Sequence, residues 1–167
     1  LGDIVLLKNE IRPVPHIHRG AGDAGRSVWF NPSPMDDGAR ECDLSLVSVF
    51  LLNEIEGEQL TGTAEPGAIL DRMAEKYPQA AVVLTLGAAG AWYAKGGARA
   101  FCPAEKAEAV DTTAAGDTFT GYFLRGMLDG RTPEEALRLA ARASAIAVSR
   151  PGASPSIPRF SEVERGL

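Results

Sequence analysis

The feature that most constrains this chain is a change of period. Short apolar runs at 4–7, 27–30, 46–52 and 82–86, rich in β-branched or aromatic residues and bounded by Asn, Pro or Gly, read as strands. Between the third and fourth lie 54–61 and 67–77, the latter carrying Ile69, Leu70, Met73 and Ala74 at helical spacing. After Gly87 and Gly90, the segments 91–94 and 99–102 straddle Lys95-Gly96-Gly97 and read as an edge hairpin. Two long helices are expected last. One spans 116–128 and stops at Asp129-Gly130; the other spans 133–148, with Thr132 as N-cap and Pro133 at the first helical position. Strands alternating with helices specify an α/β fold with a mostly parallel sheet, whose ligands sit beyond the carboxyl ends of the strands. The weakest stretch is 11–26. It should supply a crossover helix, yet Pro13, Pro15, Gly20, Gly22 and Gly25 leave any helix there short or marginal.

At 167 residues, with 45% hydrophobic and 23% charged residues, the chain is sized and composed as one globular unit, 1–167. Seventeen basic against twenty-two acidic residues give a formal net charge of −5 with no basic block, which argues against nucleic acid or an anionic membrane surface as partner. A small soluble ligand fits better. No apolar run approaches the roughly 18 residues of a membrane span and no signal-peptide layout opens the chain, so a cytoplasmic location is expected. Cys42 and Cys102 form no C-x-x-C pair and read as two buried thiols. Leu1 stands almost directly before a strand, and the natural start is expected to lie upstream. His16 and His18 are two apart with no third ligand and are read as surface residues.

The chemistry concentrates in Asp111-Thr112-Thr113-Ala114-Ala115-Gly116-Asp117-Thr118-Phe119, directly before a strong helix. Small residues let backbone N–H groups approach an anion, and the helix N-terminus adds positive partial charge at the same point. Asp117, at the helix start, is placed to accept a proton from a hydroxyl held nearby. A base beside a phosphate cradle suggests phosphoryl transfer. The plainer alternative is that Thr113 or Asp117 merely caps the helix and that Ala-Ala-Gly permits close packing.

This segment resembles the C-terminal signature of the ribokinase-like (PfkB) carbohydrate kinases, D-T-x-G/A-A-G-D. Further segments follow the family order: Asn31-Pro32-Ser33-Pro34, then 53–62 beginning Asn53-Glu54-Ile55-Glu56, then Thr85-Leu86-Gly87-Ala88-Ala89-Gly90, and the closing run 145–156. The resemblance implies a partial three-layer α/β/α, Rossmann-like fold and ATP-dependent phosphorylation of a sugar hydroxymethyl group, ribose to ribose 5-phosphate first among acceptors. It implies Asp117 as catalytic base, with Ala114, Ala115 and Gly116 as anion hole, a role suited to phosphoryl transfer. Asn53 and Glu56 match the N-x-x-E motif that organises Mg2+ and the phosphates, while Thr85, Gly87 and Gly90 fall where the nucleotide pocket runs. Glu10 matches an acid that reaches toward the sugar. A monovalent cation (K+) is implied at Asp111, Thr113, Ala147, Arg150, Gly152 and Ser156, several through backbone carbonyls. Read alone, the 87–90 glycines are equally a tight turn, Pro151-Gly152 a turn after the last helix, and Glu10 a solvated acid at a strand end.

The resemblance also has departures. The family's sugar-binding N-terminal half is absent, so the isolated chain is expected to be inactive and to self-associate or to need a complementing N-terminal half. Ala141 stands where such a kinase has a longer polar side chain near the adenine. The rival readings are a non-catalytic nucleotide- or partner-binding module derived from a sugar kinase, and a kinase for another sugar or a nucleoside.

Overall fold

A computed structural model describes residues 3–10 and 14–165. Six strands form one sheet in the order β1-β2-β3-β4-β5-β6: β1 (Ile4–Lys8), β2 (Ser27–Asn31), β3 (Val47–Asn53), β4 (Ala81–Thr85), β5 (Ala91–Lys95) and β6 (Ala98–Cys102). Each of the first three pairs is parallel. The last two strands form the antiparallel hairpin foreseen at the sheet edge. Its turn is Gly96-Gly97 with φ of 56° and 84°, the two positive values that a tight hairpin turn of the favoured hand requires. The chain divides into two compact units, Leu1–Thr85 with Tyr93–Arg99, and Leu86–Trp92 with Ala100–Leu167.

In the first unit, Val49, Phe50, Leu51 and Leu52 are all buried, as are Ala81 through Leu84, the continuous burial of parallel strands covered on both faces. The β2–β3 register skips Ser48, whose hydroxyl instead accepts the Val28 N–H at 3.2 Å. Helices α1 (Val14–Asp23) and α2 (Asp37–Arg40) precede β3 in the chain; α3 (Glu54–Thr61) leaves β3 directly, and a left-handed Gly62 (φ 73°) ends it. Gly57 gives α3 its close seat, since a Cβ there would lie 3.0 Å from Ile69 and 3.3 Å from Leu84. Helix α4 (Pro66–Lys76) buries Ile69, Leu70 and Met73; Ala74, grouped with them by spacing, lies exposed at the margin of that stripe.

Two expectations need correction here. The 11–26 stretch does form a ten-residue helix between β1 and β2, at Val14–Asp23, while 11–13, including Pro13, lie outside the described residues. Pro15 sits in its first turn, where a missing N–H is harmless. Gly22 is an adaptation rather than a breaker, because a Cβ there would come within 2.9 Å of Leu46. The inward stripe of this helix is Val14, His18 and Ala21, so His18 is fully buried, not a surface residue; His16 is exposed as expected. The His18 ring meets Phe30 edge-on at 5.5 Å, and neither ring nitrogen has a hydrogen-bond partner among the described residues.

The second unit is built on a pair of helices, Ala115–Leu128 and Pro133–Val148. A Cβ on Gly126 would lie 3.0 Å from the Ala136 Cα, so the alanine-rich second helix can approach backbone to backbone. Thr132 caps it, as the sequence indicates, and Glu135 returns the bond to complete a reciprocal box. A short terminal helix, Phe160–Glu164, inserts Val163 against Leu139 and Ala143. Cys42 and Cys102 are buried free thiols. Among the described residues no helix is long and apolar enough to cross a membrane.

Candidate active site

In the first unit the candidate residues gather at the carboxyl ends of β3 and β4. Asn53 closes β3 and Thr85 closes β4, and the register sets them side by side. The Thr85 hydroxyl donates to the Leu52 carbonyl at 3.2 Å. Asn53 is also the N-cap of α3: its Oδ1 accepts the Glu56 N–H at 3.0 Å, while Glu56 Oε2 accepts the Asn53 N–H at 2.9 Å. Glu56 Oε1 takes a further bond from Asn53 Nδ2 at 3.0 Å. The N-x-x-E spacing is therefore a capping box that holds one carboxylate, only 4% exposed, at the end of the central strands.

Glu10 follows β1, exposed and paired with Lys8 at 2.7 Å. The residue before it organises that corner, and sequence reasoning passed it over. Buried Asn9 donates from Nδ2 to the Pro34 carbonyl at 2.7 Å and to Asp36 Oδ1 at 2.6 Å. The Asn9 bond, followed by the Ala39 N–H, holds the Asp36 carboxyl below its ordinary range. The available signal was an amide directly after a strand, opposite the Asn31-Pro32-Ser33-Pro34 turn.

The second unit holds the other candidates. The loop 111–114 leads into the helix whose N-cap is Ala114, a residue with no side-chain oxygen. Neither Thr113 nor Asp117 caps it, so the capping alternative is not realised. Thr113 is turned to Asp111 instead: Asp111 Oδ1 accepts the Thr113 N–H at 2.9 Å and its hydroxyl at 2.6 Å. Asp111 Oδ2 accepts the Gly152 N–H at 3.0 Å. These bonds, those from Thr113 first, hold the Asp111 carboxyl below its ordinary range and keep it ionised. Ser144 donates to the Ala115 carbonyl at 3.2 Å and steadies the first turn. Gly116 and Asp117 lie exposed in that turn, and a Cβ on Gly116 would meet nothing within 4 Å, leaving the backbone open to an approaching group. Thr118 behind them is buried, and its hydroxyl has no partner among the described residues.

Around Gly152 (φ 86°), the Ala147 carbonyl accepts the Arg150 N–H at 3.1 Å, and buried Ser156 donates from Oγ to the Ala153 carbonyl at 2.7 Å. Hydrogen bonds thus join Asp111 to Thr113 and Gly152, and the Asp111 N–H reaches the Val148 carbonyl at 3.1 Å, while the Ala147–Arg150 and Ala153–Ser156 bonds are separate ones along the 147–156 segment. Gly87 opens a single 3-10 turn (Gly87–Ala89) after Leu86, and Gly90 follows it. At Gly90 (φ 125°) a Cβ would fall 2.2 Å from the Cys102 carbonyl, so here the glycine answers to close packing. Among the described residues no group of three or more His, Cys, Asp or Glu could hold a metal ion.

The model of the pfkB family of carbohydrate kinases matches residues 19–159. The ribokinase of Lactococcus lactis is 34% identical, the match covering 98% of this chain and 53% of that protein. The solved ribokinase of Thermotoga maritima superposes with a TM-score of 0.83 at 33% identity, over 98% of this chain and 56% of the other. That of Arabidopsis thaliana, solved with ribose and ATP, gives 0.82 at 30% identity, over 97% and 55%. The chain spans about half the length of these relatives, and shares their three-layer α/β/α fold. The signature at 111–117, the ordered flanking motifs and the fold agree: this chain belongs to the pfkB family of carbohydrate kinases.

Proposed function

We propose that residues 1–167 are the nucleotide-binding and catalytic portion of a sugar kinase that transfers the γ-phosphoryl group of ATP to a sugar hydroxymethyl group, ribose being the acceptor, and that most of the sugar-holding groups belong to a half of the domain outside this chain. The observation that carries the reading is the first turn of the helix Ala115–Leu128. It opens on Ala-Ala-Gly with no side-chain cap and bears Asp117 exposed at its third position.

Asp117 takes the proton of the attacking hydroxyl, and the backbone of Ala114, Ala115 and Gly116 receives the negative charge of the transferring oxygens. The ionised carboxylate of Asp111 holds the loop in shape for that task. The family resemblance assigns Thr85, Gly87 and Gly90 to the nucleotide and Glu10 to the sugar. The donor chemistry fits the ions that the family implies. Glu56 retains lone pairs beyond its bonds to Asn53, and one carboxylate plus substrate phosphates is an ordinary Mg2+ environment. Mg2+ would supply charge neutralisation at the phosphates. The corner of Asp111, Thr113, Ala147, Arg150, Gly152 and Ser156 offers oxygen donors suited to K+, which would supply fixed positive charge near the anion hole.

The test is a coupled assay of ATP consumption with ribose, fructose and a nucleoside as acceptors, on this chain and on the chain joined to a ribokinase N-terminal half. Ribose-dependent turnover by the completed protein supports the reading. Nucleotide binding without turnover in either form favours the non-catalytic module.

A further inference from the structure

The loop that presents Gly152 to Asp111 is held at both ends by one carboxylate. Glu162, in the terminal helix, accepts Arg150 Nη2 on Oε1 at 2.7 Å and the Arg159 N–H on Oε2 at 2.7 Å. Its two oxygens therefore bracket residues 150–159. Inside the bracket, Gly152 donates to Asp111 Oδ2 at 3.0 Å, and Asp111 in turn holds Thr113, the residue before the N-cap Ala114. From Glu162 the connection runs through its bond to Arg150, along two residues of backbone to Gly152, and by the bonds of Asp111 to the loop before Ala114. Nothing in the 111–117 signature points to Glu162, which lies 45 residues beyond Asp117 in a short helix of ordinary composition.

We propose that Glu162 is a positioning residue for the phosphate-binding loop: by clasping Arg150 and the Arg159 amide it fixes the 150–159 segment so that the Gly152 N–H stays on Asp111. This rests on the reading of 111–117 as the nucleotide site. Arg150 and Glu162 are 38% and 32% exposed, so the pair contributes little to global stability, as exposed ion pairs generally do. Its effect is on geometry, where a small displacement of the loop shifts donors away from the oxygens they serve. The Arg150 bond, then the Arg159 amide, holds the Glu162 carboxyl below its ordinary range, so the clasp stays charged at neutral pH.

The experiment compares the wild-type chain with Glu162→Ala and with the exchanged pair Arg150→Glu/Glu162→Arg, reading the Gly152 amide exchange rate by NMR, Mg-ADP affinity by calorimetry, and thermal unfolding. Glu162→Ala should speed Gly152 exchange and weaken Mg-ADP binding, each by about tenfold, with Tm little changed. The exchanged pair re-forms the side-chain bridge but leaves the Arg159 N–H without its carboxylate acceptor, and should recover part of both losses. Unchanged Gly152 exchange in Glu162→Ala overturns the clasp, and so does a uniform rise in exchange across the chain that the exchanged pair fails to reverse. Failure of the nucleotide reading has a different signature: a wild-type chain that binds no Mg-ADP overturns the functional role of the clasp, while the exchange rates still decide its structural part.

Discussion

Asp111 and Gly152 lie 41 positions apart, and a single hydrogen bond from the Gly152 N–H to Asp111 Oδ2, at 3.0 Å, joins the signature loop to the turn after the last long helix. Asp111 also serves Thr113 twice, so one carboxylate sets two segments. Replacing it by Ala should weaken nucleotide binding about tenfold or more, the ordinary cost of losing hydrogen bonds to a charged group. Asp111→Asn should lose less, since its carbonyl keeps one acceptor. Calorimetry with Mg-ADP checks the order, and equal affinity in all three proteins would show that the bond has no bearing on the site.

For Asp117 the expectation is a split between binding and rate. In the chain completed with an N-terminal half, Asp117→Asn should reduce kcat by roughly two to four orders of magnitude and leave nucleotide affinity nearly unchanged, because a general base acts on the transition state. Steady-state kinetics beside equilibrium binding tests this. Near-normal kcat would remove Asp117 from the role of base.

If the corner around Asp111 takes a monovalent cation, potassium should tighten Mg-ADP binding relative to tetramethylammonium at matched ionic strength. Titrations in the two salts decide the matter. Identical affinities would mean that the Gly152 N–H alone satisfies Asp111 Oδ2.

His18 gives stability a pH dependence of known sign. Burial, opposed only in part by the Asp43 charge, lowers its proton affinity, so the folded state holds a neutral ring while the unfolded chain protonates below about pH 6.5. Stability from this site is therefore present above the unfolded pKa. As pH falls below it, stability drops by at most about 1.4 kcal/mol per unit until the depressed folded pKa is reached. Denaturant unfolding between pH 7.5 and 5.5 should show this slope in the wild type and a flatter one in His18→Leu. Parallel slopes would contradict it.

Gly90→Ala tests the turn between the fourth and fifth strands. With φ of 125° and a Cβ position 2.2 Å from a backbone oxygen, no side chain can move aside to admit a methyl group. A loss of about 3 kcal/mol or more is expected. Gly87→Ala, where nothing lies within 4 Å but φ is 52°, should cost about 1 kcal/mol. Chemical denaturation of both variants ranks them.

What this sequence determined by itself was whatever depends on local period and local chemistry. The runs at 27–30 and 46–52 declared buried strands, Thr132-Pro133 declared a helix start, and the end of the 111–119 signature declared another. These are short-range devices, complete within a few residues, and they need no distant partner to be read. Tertiary structure decided what depends on distant neighbours. Gly22 looked like a helix breaker until Leu46 occupied the space a side chain would need. His18 looked exposed until the helix formed and turned it toward Phe30. Gly90 needs its missing side chain because of Cys102, and Asp111 is held by Gly152, neither of which any local pattern announces. The division follows from range: periodicity is written along the chain, whereas close approach and long-range hydrogen bonds exist only once packing has brought separate segments to the same place.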